Sequence, residues 1–275
     1  MTLKSIMVSV DLDEQSEARI GVAADLAKRF DAVLIGIAGW PLRKSGALAH
    51  SDLEYPSTEE SLQAKITEEL ERLSEMFRRR AGSAPRSIEW RSSPHFPNEV
   101  VAAHARAADL VIIGRDPLRG DSFHTFDPGT IILACGRPVL VLPSGINRLN
   151  ASRVLIAWKD TREARRAVSD ALPLLKEAEN VTIAAIGPRE IEVQMREQID
   201  DVANYLQRHE VKISAKVAVS TREADAHVLL GLADERKADL IVAGAYGRSR
   251  LSEWIFGGVT RTLLTTSKIP LLFAN

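Results

Sequence analysis

Residues Ala108-Asp109-Leu110-Val111-Ile112-Ile113-Gly114 return almost unchanged as Ala238-Asp239-Leu240-Ile241-Val242-Ala243-Gly244. The same Ala-Asp precedes the same kind of aliphatic run, and the same glycine stops it, so the chain is one unit written twice. Each run is short, aliphatic and glycine-terminated, which predicts a buried strand.

The rest of the chain falls into that duplication. Ile6–Val10 and Val154–Trp158 open the two units as apolar runs, and each is followed by small and aliphatic residues at helical spacing: Ile20, Ala23, Ala24 and Ala27, then Ala164, Ala167, Val168, Ala171 and Leu172. Second strands are expected at Ala32–Ile37 and Val181–Ile186. Long amphipathic helices follow, with stripes Leu62, Ile66, Leu70, Leu73, Phe77 and Met195, Ile199, Val202, Leu206. Third strands are expected at Ser87–Trp90 and Lys212–Val217, third helices near Asn98 and Ala224, and fifth strands at Pro138–Leu142 and Pro270–Phe273. Alternation of this kind implies, for each unit, a parallel sheet covered on both faces and joined by right-handed crossovers. With 275 residues, two domains are expected, 1–144 and 151–275, around a turn-rich linker at Pro143–Ala151. An insertion at about 40–58, with two prolines, reads as a surface excursion rather than a lid.

Beyond the second copy of the repeated strand lies Gly244-Ala245-Tyr246-Gly247, and nine residues later Gly257-Gly258-Val259-Thr260 opens another helical pattern. Glycines let backbone N–H groups approach an oxyanion, and a helix N-terminus adds about half a positive charge, so phosphate is the natural guest. The spacing lacks the Gly-Lys-Ser/Thr of a Walker loop and the tight glycine cluster of a Rossmann turn.

Strand, Gly-x2-Gly-x9-Gly and helix together resemble the ATP-binding loop of the universal stress protein family, and as a tandem the resemblance covers essentially the whole chain. It implies an adenine nucleotide alpha hydrolase-like α/β fold with strand order 3-2-1-4-5, and two domains paired through their fifth strands as an intrachain pseudo-dimer. It also implies a nucleotide at the carboxyl ends of the first and fourth strands. In the second unit the nucleoside end would meet Ala157, Lys159, Ile186 and Ala243, and the phosphates would meet Gly244, Gly247, Gly257, Gly258, Val259 and Thr260. Two departures stand out. Lys159 takes the place of an aspartate and cannot accept a hydrogen bond from the base or ribose, although Asp160 follows it; Gly258 replaces the family's Ser/Thr. Arg248 and Arg250 lie within the loop as candidate phosphate contacts. The first unit departs the other way: Asp11, Gly114, Gly129 and Thr130 are present, but Pro117 stands where the second glycine should be and has no N–H to offer. It reads as a degenerate pocket.

Charge and chemistry narrow the function further. Lys and Arg number 36 against 37 Asp and Glu, so nothing points to nucleic acid or an anionic membrane as partner, and no apolar run reaches the roughly 20 residues of a membrane span. Cytoplasm is the expected compartment. The single cysteine, Cys135, reads as a small buried hydrophobe. Asp121, His124 and Asp127 are a weak metal pattern, and no catalytic triad, carboxylate pair or water-activating base is visible. The expected function is a stress-response regulator or sensor that binds ATP or another adenine nucleotide, with or without Mg, in its second domain. The alternatives are an interaction protein with vestigial pockets and a slow ATPase. Homodimerisation and the identity of a protein partner are left open.

Overall fold

The computed structural model describes residues 2–41, 59–82, 86–115, 126–220, 226–247 and 258–275. The first half runs β1 (Ser5–Ser9), α1 (Ser16–Arg29), β2 (Val33–Gly39), α2 (Glu59–Ala81), β3 (Ser87–Ser93), α3 (Pro97–His104), β4 (Leu110–Gly114), α4 (Pro128–Ala134) and β5 (Val139–Leu142). The second half repeats it as β6 (Arg153–Trp158), α5 (Arg162–Glu177), β7 (Asn180–Gly187), α6 (Glu192–Arg208), β8 (Ile213–Ser220), α7 (Ala226–Glu235), β9 (Leu240–Gly244), α8 (Gly258–Thr266) and β10 (Leu271–Ala274).

All ten strands form one sheet in the order β3-β2-β1-β4-β5-β10-β9-β6-β7-β8. Each half therefore has the expected order 3-2-1-4-5, and the halves join through their fifth strands. That join is antiparallel, with Leu271 opposite Val141 and Phe273 opposite Val139, whereas every other neighbouring pair is parallel. The carboxyl ends of the strands in the two halves consequently face opposite ends of the sheet.

Alternation along each strand sends side chains to two apolar layers. Ile6, Val8, Val154 and Ile156 pack under α1, α2, α5 and α6; Met7, Val111, Leu155 and Ile241 pack under α3, α4, α7 and α8. The expected helical stripes lie on these layers, with Ile66, Leu73, Phe77, Met195, Ile199, Val202 and Leu206 buried and Leu62 and Leu70 half-buried. The third strands run further than their apolar cores suggest, to Ser93 and Ser220, because as outer strands they tolerate polar residues while their backbones stay paired to Gly39 and Gly187. The two repeated aspartates have a structural task. Asp109 accepts the N–H groups of Lys4 and Ser5, and Asp239 those of Ser152 and Arg153, fastening each fourth strand to the start of its first. Cys135 is buried at the end of α4, and burial pushes its thiol up to about 12.

Further contacts brace the seam. Arg29 pairs with Glu177 and donates to the Asn150 carbonyl at 2.9 Å; Arg166 donates to the Gly136 carbonyl at 3.0 Å, and Arg115 to that of Ser267. Of the insertion at 40–58, Trp40 packs on the core and residues 42–58 lie outside the described residues. Among the described residues no helix is long and apolar enough to cross a membrane.

Candidate functional site: two strand-end pockets

Strand register aligns the halves residue by residue. Ile6 pairs with Leu110 on one side as Val154 pairs with Leu240 on the other, so Asp11 corresponds to Lys159, Arg19 to Ala167 and Gly114 to Gly244. Both switch points, where the first and fourth strands part company, sit where an open parallel sheet receives a ligand.

In the first half the chain fills its own pocket. Arg19 lies on the buried face of α1 and is only 2% exposed. Its Nη2 meets Asp11 Oδ1 at 2.7 Å and Ser16 Oγ at 3.2 Å, its Nε donates to the Ser9 carbonyl at 3.0 Å, and Nη1 lies 3.7 Å from Asp13. A Cβ added to Gly114 would stand 2.4 Å from Arg19 Nη1, so the guanidinium occupies the space directly over the strand end. The one carboxylate suited to a nucleoside is thereby committed to an internal cation. At the other end of this pocket Asp127 caps α4, accepting the Thr130 N–H at 2.8 Å and the Thr130 hydroxyl at 2.5 Å. The Thr130 donors that a phosphate would meet are already bonded. Thr130 also lies nine residues ahead of Val139, whereas Gly258 lies thirteen ahead of Leu271, the matching strand position, so Thr130 sits about one helical turn further along its helix than Gly258 does. Asp127 serves as a helix cap; Pro117, Asp121 and His124 lie outside the described residues.

Among the described residues, the second half has no counterpart of the Arg19 guanidinium. Ala167 replaces Arg19 and is buried against the core. Ala157 is half-buried between Ala184 and Ala243, Ile186 is half-buried near the end of β7, and Ala243 precedes Gly244 at the end of β9. These residues share the side of the sheet covered by α7 and α8. Gly258 opens α8, and a Cβ built on it meets nothing within 4 Å. The N–H groups of Gly258, Val259 and Thr260 lie in the first helical turn, which has no intrahelical partners for them; Val259 is half-buried and the Thr260 side chain is turned into the protein, 8% exposed. Gly257, Arg248 and Arg250 lie outside the described residues.

Two features of this pocket were not visible in the sequence. The first concerns Gly244, whose added Cβ would lie 2.4 Å from the Ala164 nitrogen, a backbone atom. That glycine is required by the approach of α5 to the strand end, independent of any ligand. The second is Glu163, in the first turn of α5, 2% exposed and close under the loop, with Oε2 3.6 Å from a Cβ built on Gly247. Burial alone would push its carboxyl up, but hydrogen bonds from Arg162, from its own N–H and from Thr161 outweigh that and hold it below the usual carboxylate range. Lys159 is exposed, and Asp160, the alternative acceptor beside it, is paired with Arg165. Tyr246, in the loop with φ of 54°, is shifted by burial and then by the charge of Asp127, which push its phenol up to about 12. The loop of one half thus lies within electrostatic reach of the last helix of the other.

Compared with known families, the chain matches the universal stress protein family over residues 2–122 and 151–275. No curated protein matches it. Among solved structures, a universal stress protein from Archaeoglobus fulgidus superposes with a TM-score of 0.71 at 15% identity, covering 98% of this chain and 96% of that one. A functionally unknown protein from Pseudomonas aeruginosa PAO1 gives a TM-score of 0.53 at 15% identity, covering 98% and 92%. A universal stress protein from Pseudomonas aeruginosa UCBPP-PA14 gives 0.52 at 16%, with the same coverage of 98% and 92%. At these identities the likeness concerns the fold.

Proposed function

This chain belongs to the universal stress protein family, and on that premise we propose that it is a cytoplasmic regulator that binds an adenine nucleotide, ATP or one of its products, in its second half alone. The observation that carries this reading is the contrast at one position: the Arg19 guanidinium stands over the first strand end, and Ala167, which has no such group, takes its place in the second half. The phosphates would rest on the first-turn N–H groups of Gly258, Val259 and Thr260 at the start of α8 and pass over Gly247. The nucleoside would lie against Ala157, Ile186 and Ala243. The Glu163 carboxylate beside Gly247 repels phosphate, and a magnesium ion travelling with the nucleotide would offset that charge. The protein then acts by being occupied or empty, not by turnover.

A second reading is favoured by Lys159, Asp160 and Glu163 together. No carboxylate is free at the nucleoside end, and one stands at the phosphate end, which suits a pocket that has lost its ligand and a protein that works through its surfaces.

Native mass spectrometry of protein purified without added nucleotide separates the two. The expected result is about one adenine nucleotide per chain, lost in Gly247→Val, with the two proteins equal in thermal stability once both are stripped of nucleotide. Gly247 is the right position because its added Cβ makes only an ordinary 3.6 Å contact, whereas Gly244→Val would disrupt packing against Ala164. An empty protein that gains no stability from millimolar ATP would establish the second reading instead.

A further inference from the structure

A cleft of about 330 Å³ opens in the second half at the amino-terminal ends of β6, β7 and β8, the end of those strands remote from the Gly244 loop. It is lined by Arg153, Asn180, Thr182, Ser214 and Arg236, with Val154, Ala215 and Ala238 as its apolar remainder.

An irregularity in the sheet accompanies it. The β7–β8 register passes from Val181 opposite Ile213 to Thr182 opposite Ala215, so Ser214 is an extra residue, and its hydroxyl donates to the Val181 carbonyl at 3.0 Å. The first half has neither feature: β2 and β3 pair without a shift, and Ile35, the counterpart of Thr182, is buried in the core. Replacing a core isoleucine by threonine is costly unless the hydroxyl finds a partner. Thr182 is 5% exposed and lines the cleft, and its hydroxyl is not among the buried polar atoms left without a partner. Arg153 is likewise without an acidic partner among the described residues. Arg236 has only the adjacent Glu235, at 3.5 Å, and the nearby Asp239 carboxylate is taken up by the Ser152 and Arg153 N–H groups.

We propose that this cleft is a second ligand site, which takes a small phosphate monoester between the Arg153 and Arg236 guanidinium groups, with the Thr182 hydroxyl as a further donor. Two guanidinium forks match the geometry and charge of a phosphate, and the Thr182 hydroxyl at the cleft wall supplies a further donor. The volume is at the low end for small-molecule sites, of the size of a sugar phosphate. The site is independent of the glycine loop.

Calorimetric titration of the full chain with glucose 6-phosphate, inorganic phosphate and glucose tests this. Glucose 6-phosphate should bind more tightly than inorganic phosphate, and glucose should not bind. Arg153→Gln and Arg236→Gln should each weaken binding roughly tenfold or more, and Thr182→Val by less. Arg153 is exposed on the surface and Arg236 only paired to its neighbour, so both variants will fold. Absence of binding at about 10 mM probe, equal binding of inorganic phosphate, or binding that both arginine variants retain would overturn the proposal.

Discussion

Arg19 and Ala167 occupy the same place in two copies of one fold, and the copies differ in what they leave for a ligand. Where arginine stands, the strand-end pocket is packed with protein, its carboxylate bonded and its helix capped. Where alanine stands, Gly258 at the start of the last helix faces open space among the described residues, while the end of the strand is approached by the α5 backbone at Ala164. A duplicated domain can therefore retain every feature needed for the sheet while its binding surface is replaced, because the residues that hold the scaffold, Asp109 and Asp239 among them, are not those that line the pocket.

The sharpest way to break this contrast is Arg19→Ala, which gives the first half the residue of the second. It strands the Asp11 carboxylate in a mostly buried place, and a loss of about 3 kcal/mol is expected in urea unfolding. The nucleotide count should stay at about one per chain, since Asp127 still holds Thr130. A count of two would mean that Arg19 alone closes that pocket. Next in size is a pair of identical substitutions. Gly114→Ala places a methyl 2.4 Å from Arg19 and should lower stability by about 1–3 kcal/mol, whereas Gly258→Ala meets open space and should lie within about 0.5 kcal/mol of the parent. Thermal denaturation of the two variants side by side reads the difference, and equal losses would mean that the start of α8 is not the open position described above.

Smaller effects sharpen the reading of the second half. Lys159→Asp restores the acceptor that the first half keeps as Asp11, and should tighten ATP binding roughly tenfold by equilibrium dialysis. Unchanged affinity would indicate that no nucleoside lies there. Last is Glu163→Gln. Because the folded carboxyl sits below its usual value of 4.5, its contribution to stability is present above that pH and is lost as pH falls through the depressed value. The variant should lack this part of the acid limb in a pH series of denaturation curves. A superimposable acid limb would show that the hydrogen bonds to Glu163 contribute nothing.

Much of the architecture was legible because it is periodic. Aliphatic runs, helical stripes and the Ala-Asp repeat are local signals, and the strand order and the fifth-strand join, which follow from family resemblance, are both present in the single ten-stranded sheet. The pocket was less legible because its contacts are not local. Arg19 lies within the stripe of Ser16, Ile20, Ala23 and Ala27, and a charged residue on a buried helical face is a signal that something internal must meet it. The partner, eight residues earlier, is identified only by the turn of the chain. Glu163 is hidden in the same way, since acidic residues in a first helical turn are ordinary and only the approach of Gly247 makes this one part of a site. The reading of Gly244 mixed two causes that sequence does not separate, room for a ligand and room for a neighbouring helix.

The antiparallel meeting of β5 and β10 has an evolutionary consequence. Two separate copies of one subunit joined in this way would be bound by symmetry, so a substitution such as Arg19 would shut both pockets at once. Covalent linkage lifts that restriction: each half is inherited under its own sequence, and one can serve as a fixed platform while the other keeps a changeable surface. The linkage also keeps the partner half at constant effective concentration, so the assembly does not dissolve on dilution as a weak dimer would.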